Sequence, residues 1–200
     1  MGQRLIILDL DGTCYPSDSA LTRIIDTRTT EFLTLRGSLT PMQLTAMEEQ
    51  TPSILEALAR LGLPRQQWAS AVYRAMPYRQ LLRRDPALVR ALSRMAARRV
   101  VVTMAPEQHA AAVLEALGLT GVIDDTISVF EVGHTDKRVI YRSLVETYGA
   151  STTTVLGDNV ALDLEPAAAL GCGCAHIHPR HHAGPFPVYR DLLQALSALP

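Results

Sequence analysis

Lysine is almost missing from this chain. Of 19 basic residues among 200, Lys137 alone is lysine and the rest are arginine. Codon bias makes a chain arginine-rich, yet it leaves a lysine where a compact ammonium is required and a planar guanidinium does not serve. Cysteine is scarce as well. Cys14, Cys172 and Cys174 have no disulfide-framework spacing, and an odd count fits a reducing compartment. Charge of either sign is nearly balanced at −1, which argues against a dedicated nucleic-acid or membrane surface. No apolar run is long enough to cross a bilayer, and no cleavable signal pattern follows Arg4. Repeats and low-complexity tracts are absent too. These absences lead us to expect a soluble cytoplasmic protein, monomeric or homodimeric. With 48% hydrophobic residues, a single α/β domain with an insertion has ample core.

What the chain does have begins at Leu5-Ile6-Ile7-Leu8-Asp9-Leu10-Asp11-Gly12-Thr13. Four apolar residues before an acid predict a fully buried strand, which Gly12 ends with a sharp turn. Two carboxylates crowded at the mouth of such a strand repel each other. That is costly unless a cation sits between them or one takes a proton.

Further buried strands are predicted at Arg99–Thr103, Thr126–Phe130, Thr153–Gly157 and Cys174–His178. Helical patterns at His109–Leu117, Val139–Tyr148 and Asp163–Leu170 separate them. This alternation predicts an α/β fold, a Rossmann-like parallel sheet flanked by helices. Right-handed crossovers would bring Asp9, Thr103 and Asp158 to one carboxyl edge, where open α/β sheets bind ligands. Between the first two strands the pattern is helical instead, at Ala20–Leu35, Pro41–Gln50, Ile54–Leu61 and Gln66–Ala75. The expected division is a core of residues 1–17 and 86–200, with an inserted helical cap domain of residues 18–85 over the carboxyl edge.

The ordered set resembles the haloacid dehalogenase superfamily, whose phosphatase members carry DxDGT after a hydrophobic strand. Asp9 to Thr13 is similar to the first motif, Thr103 after Val100-Val101-Val102 to the second, and Gly157-Asp158-Asn159 with Asp163 to the fourth. Within that superfamily, Tyr15-Pro16, the helical insertion and Tyr78–Pro86 resemble the branch of pyrimidine 5′-nucleotidase-type phosphatases. The resemblance implies a Mg²⁺-dependent hydrolase of a small phosphorylated metabolite, a nucleoside 5′-monophosphate of pyrimidine type or a similar compound. A sugar-phosphate or phosphoglycolate-type phosphatase is the alternative within the class. A catalytically weakened binding or scaffold protein is the alternative outside it.

These residue types suit the implied chemistry. A carboxylate can attack a phosphomonoester and hold the phosphoryl group as an acyl phosphate, which makes Asp9 the expected nucleophile. Asp11 is the expected general acid and base, with a pKa raised by its neighbour and by burial. Asp9 and Asp158 offer Mg²⁺ hard oxygen ligands, and the resemblance adds the backbone carbonyl of Asp11. Asp163 is a metal ligand, a partner of one, or the N-cap of the following helix. Thr103 is a candidate phosphate clamp, joined by amides of the loop that Met104 and Ala105 open.

Lys137 is the candidate phosphate-binding ammonium, yet it stands out of register. In the family pattern an aromatic follows the lysine by six residues, and counting back from Tyr141 reaches Thr135. Either the long stem of Lys137 brings the charge to the site, or it is a surface lysine and transition-state charge goes poorly stabilised. His176, His178, His181 and His182 are expected on a solvated loop, and Cys14 in packing. Arg23, Asp26, Arg28, Arg36, Tyr15, Trp68 and Tyr78 are candidates for specificity.

Overall fold

A computed structural model describes residues 3–180 and 184–199. The elements run β1 (Leu5–Leu8), α1 (Ala20–Gly37), α2 (Pro41–Gln50), α3 (Ile54–Arg60), α4 (Arg65–Val72), α5 (Tyr78–Leu81), α6 (Pro86–Arg94), β2 (Arg98–Thr103) and α7 (Glu107–Leu117). There follow β3 (Asp125–Ser128), α8 (Val129–Val132), α9 (Arg138–Tyr148), β4 (Thr153–Gly157), a π-helical turn at Val160–Leu164, α10 (Glu165–Ala168), β5 (Gly173–Ile177), β6 (Val188–Tyr189) and α11 (Leu192–Ala198).

All strand pairings are parallel, in the order β3-β2-β1-β4-β5-β6. The order reverses at β1, so the crevice between β1 and β4 is the topological switch point. Strand β1 alternates its buried side chains between two cores, as a period of two requires. Ile6 and Leu8 face Leu88, Leu92, Val113 and Leu196. Leu5 and Ile7 belong with Val100, Val155, Tyr141 and Leu164. All four are at most 1% exposed, and each contributes about 1.5–3 kcal/mol by leaving water.

The insertion is helical, and its turns are set by local chemistry. Ser19 caps α1 through Thr22 N–H, Thr40 and Gln43 form a capping box at α2, and Ser53 caps α3 through Glu56 N–H. The apolar sides of these helices are not separate from the sheet. Phe32, Leu33, Leu44, Leu55, Leu58, Trp68 and Val72 share one continuous core with Leu5, Ile7 and Phe130.

Most predicted boundaries shift by one to three residues, and three of the shifts have a local cause. The third strand stops at Ser128, whose Oγ accepts from Glu131 N–H and starts the single turn α8; Phe130 is therefore helical. Helix α4 ends at Val72 because Arg28 binds the carbonyls of Val72 (2.7 Å) and Arg74 (2.8 Å) as the chain turns away. Before α10 the first turn is π-helical and Asn159, not Asp163, is its cap.

Candidate active site

Asp9, Thr103 and Asp158 stand at the carboxyl ends of three adjacent strands. The Asp9 N–H donates to Leu156 O at 2.9 Å, which continues the β1–β4 ladder and fixes the carboxylate over the switch point. One oxygen, Oδ1, accepts from Lys137 Nζ at 2.5 Å. The other, Oδ2, is buried and has no hydrogen-bond partner in the protein. A buried carboxylate oxygen without a donor is held at a cost, and its position marks where a cation or an electrophile would sit.

Asp158 and Asp163 complete an acidic cluster with Asp9, each offering an oxygen within 4.8 Å of the others. Two glycines allow that approach. A Cβ on Gly12, whose φ is +88°, would stand 2.0 Å from Asp158 Oδ2, and one on Gly157 would stand 2.5 Å from Asp163 Oδ2. Asp163 is no helix cap: its Oδ1 accepts from Lys137 Nζ at 2.7 Å and its Oδ2 from Asn159 N–H at 3.1 Å.

Lys137 is therefore no surface lysine. It is 1% exposed at the start of α9, and its ammonium bridges Asp9 and Asp163. Burial works against its charge, but the Asp163 and Asp9 carboxylates outweigh that and hold the ammonium well above the usual lysine range. Burial likewise pushes Asp9 up to about 7, opposed by Lys137 and reinforced by Asp163 and Asp11. Asp158 rises to about 8, first through burial and then through the charges of Asp9 and Asp163.

Asp11 departs from expectation. Burial does push its carboxyl up, but the charge of His109 and hydrogen bonds from His109 and Tyr15 together hold it below the ordinary carboxylate value. The carboxylate turns away from the acidic cluster. Its Oδ1 accepts from Tyr15 OH at 2.5 Å and from His109 Nε2 at 2.8 Å. His109 Nδ1 meets Tyr78 OH at 2.9 Å, and the His109 ring packs on Tyr73 with centroids 4.5 Å apart. The sequence reading missed His109. Its only signal was a histidine in the first turn of the helix that follows the second motif.

Thr103 is 1% exposed, and its Oγ1 accepts from Ala105 N–H at 3.0 Å. Of the loop amides expected to face a phosphate, that of Ala105 is committed to Thr103. Met104 is half-buried beside the second core.

His176 is not on a solvated loop. It is 6% exposed on β5, and its Nε2 lies 2.9 Å from the carbonyl oxygen of Asp158, bracing the turn that carries that acid. His181 and His182 lie outside the described residues. Cys14 packs as expected, its thiol donating to Asp9 O at 3.3 Å while burial pushes its pKa far up. Among the specificity candidates, Arg23, Arg28 and Arg36 are engaged within the insertion, by Asp18 O, by Val72 O and Arg74 O, and by Gln67 Oε1.

The donor set around Asp9 is all oxygen, as a hard divalent cation requires, and the unpartnered Oδ2 points to the same place. The residues fit Mg²⁺. With this geometry in hand, comparisons with known proteins agree on the class. The model of the haloacid dehalogenase-like hydrolase family matches residues 3–171, so the chain belongs to that family and is a hydrolase. Similar solved structures include YfnB from Bacillus subtilis bound to magnesium, at 16% identity, with 98% of each chain covered and a TM-score of 0.62. L-2-haloacid dehalogenase from Xanthobacter autotrophicus matches at 16% identity over 98% of this chain and 97% of its own, with a TM-score of 0.59. A HAD phosphatase from Thermococcus onnurineus matches at 15% identity over 97% and 96%, with a TM-score of 0.58. A search of the curated proteins finds no match. The fold is thus shared by phosphatases and dehalogenases, and the side chains must decide between them. Among the described residues no helix is long and apolar enough to cross a membrane.

Proposed function

We propose that the chain is a Mg²⁺-dependent phosphomonoester hydrolase that works through an aspartyl-phosphate on Asp9. The observation that carries this reading is the buried, unpartnered Asp9 Oδ2 beside Asp158 and Lys137. A proton donor at Asp11 for the leaving oxygen and a cation held beside Asp9 are both used in phosphoryl transfer, so these side chains favour it.

Asp9 and Asp158 would hold the ion, with the Asp11 backbone carbonyl; Asp163 would support it through the lysine it shares with Asp9. Bound there, Mg²⁺ supplies charge neutralisation on the transferring phosphoryl group. Asp9 attacks phosphorus in line through one carboxylate oxygen and the ester P–O bond breaks. The hydrogen-bonded pair of His109 and Asp11 gives a proton to the leaving oxygen. In the second step water attacks phosphorus, Asp11 takes its proton and Asp9 leaves as carboxylate. His109 Nε2, bonded to the same carboxylate, is within reach to share that proton. Lys137 stabilises charge on the phosphoryl oxygens, with the Thr103 hydroxyl as a further donor.

The leaving group would enter a cavity of about 770 Å³ between the insertion and the loops after β2 and β3. Tyr73, Tyr78, Phe130, Arg74 and Gln108 line it, and it shares His109 with the Asp11 network. Aromatic faces with a few polar side chains suit a nucleobase, which supports a nucleoside 5′-monophosphate as substrate. In this reading residues 18–85 act as the cap that closes over the substrate.

Turnover of p-nitrophenyl phosphate tests the reaction: we expect activity with Mg²⁺, none with EDTA and none in Asp9→Asn. Wild-type protein no better than Asp9→Asn would favour a scaffold. A panel of phosphorylated metabolites tests the substrate. Equal low rates on all of them would remove the nucleotide proposal and leave the hydrolase.

A further inference from the structure

The segment that delivers Lys137 runs from the end of α8 at Val132 to the start of α9 at Arg138, and within it Asp136 Oδ1 accepts from Arg138 N–H at 2.9 Å. Two side chains of the insertion hold it. Arg65, the first residue of α4, donates from Nη1 to Phe130 O at 3.0 Å and to His134 O at 3.3 Å, and from Nη2 to Gly133 O at 3.3 Å. Its guanidinium also lies over the Phe130 ring, 5.8 Å from the centroid. A positive fork at the carbonyl end of α8 meets the helix dipole as well as the bare carbonyls. Ser53 works from α3. Its hydroxyl donates to Thr135 O at 2.7 Å while it accepts from Glu56 N–H at 3.1 Å, so one 6%-exposed group caps a helix and ties down the loop.

Thr135 is the residue that stands where the family pattern places its lysine. With its carbonyl fixed by Ser53, the chain starts α9 two residues later, where Lys137 O accepts from Tyr141 N–H at 3.0 Å. From that start the long stem of Lys137 reaches both Asp9 and Asp163. The out-of-register lysine and the latch from the insertion are thus two parts of one arrangement.

We infer that Arg65 and Ser53 are positioning residues for Lys137, so that the insertion and the active-site ammonium are mechanically coupled. Breaking these bonds loosens the lysine; keeping them holds the charge at Asp9. The job of the lysine rests on the phosphatase reading, whereas its placement does not.

The single lysine makes a direct test possible. Apart from the chain's amino terminus, an amine-acylating reagent modifies Lys137 Nζ alone, and mass spectrometry of the folded protein gives its rate. We expect slow modification in the wild type, at least tenfold faster in Arg65→Ala, intermediate in Arg65→Lys, and faster than wild type in Ser53→Ala. The control is Arg99→Ala, which breaks the ion pair with Asp124 (2.8 Å) at the other end of the sheet. It should lower the melting temperature and leave labelling at the wild-type rate. With Mg²⁺ and p-nitrophenyl phosphate, kcat of Arg65→Ala should fall about tenfold while KM stays within twofold, and Arg65→Lys should recover part of the loss. Labelling of Arg65→Ala and Ser53→Ala no faster than the control overturns the coupling. Accelerated labelling in a chain whose wild type turns over no phosphomonoester sustains the coupling and removes the phosphatase reading. Should Arg65→Ala not fold, Ser53→Ala and Arg65→Lys decide the same question.

Discussion

Lys137 Nζ lies 2.5 Å from Asp9 Oδ1, and both side chains are almost wholly shielded from water. Among the described residues the ammonium is the one cation touching two buried acids, so its removal leaves like charges facing each other. In Lys137→Met we expect metal-free stability at pH 8 to fall by about 3–5 kcal/mol, as for other broken buried pairs. Chemical denaturation measures this, and added Mg²⁺ should return part of the loss. Turnover should drop by about 10²–10³-fold, the usual effect of losing one preorganised donor to transition-state charge.

Metal and protons should compete for the same oxygens. Asp9 and Asp158 titrate near 7 and 8 in the folded chain against an ordinary value of 3.8. The folded state therefore holds protons that the unfolded state releases. The stability this contributes is complete below pH of about 4 and is lost as pH rises through 7 to 8. Mg²⁺ needs the ionised forms. Its effect on melting temperature should be negligible at pH 5 and largest above pH 8, with EDTA reversing it. A shift that is largest at pH 5 would remove these acids as the binding site.

Much of this was legible in the primary structure, because buried parallel strands are written as continuous apolar runs. Val100-Val101-Val102-Thr103 and the run before Asp9 could be nothing else, and topology then forced their ends together. What escaped depends on contacts distant in sequence. The reach of Lys137 depends on Ser53 and Arg65 in the insertion, and no local pattern reports such a bond. The low pKa of Asp11 depends on His109 from α7, so burial and an acidic neighbour alone give the wrong direction. The third strand was read too long because Val129 and Phe130 are β-formers, and a single serine cap outweighs that preference.

His109 gives a prediction with a definite sign. Its charge and hydrogen bond counter the burial that would otherwise raise Asp11. In His109→Ala that carboxyl should climb, so the base form needed to activate water appears only at higher pH. Where hydrolysis of the acyl phosphate limits turnover, the acid limb of the kcat–pH profile moves upward. His109→Gln keeps a donor without the charge and should fall between. A profile unchanged in both variants would mean that Asp11 is not the base.

Gly12 separates metal binding from backbone strain. At φ +88° an alanine is strained by roughly 1–2 kcal/mol. Its Cβ would also stand 2.0 Å from Asp158 Oδ2, so the carboxylate has to leave the cluster. Gly62 provides the comparison, since its φ is +65° and a Cβ there meets nothing within 4 Å. Both alanine variants should therefore melt lower than wild type through backbone strain, with the displacement of Asp158 as a further effect in Gly12→Ala alone. Gly62→Ala should keep its Mg²⁺-induced rise in melting temperature and its turnover, because only the backbone is strained. Gly12→Ala should lose both, because the second acid of the metal site is displaced. If Gly12→Ala responds to Mg²⁺ as the wild type does, Asp158 does not hold the ion, and the site must be rebuilt around Asp9 and Asp163.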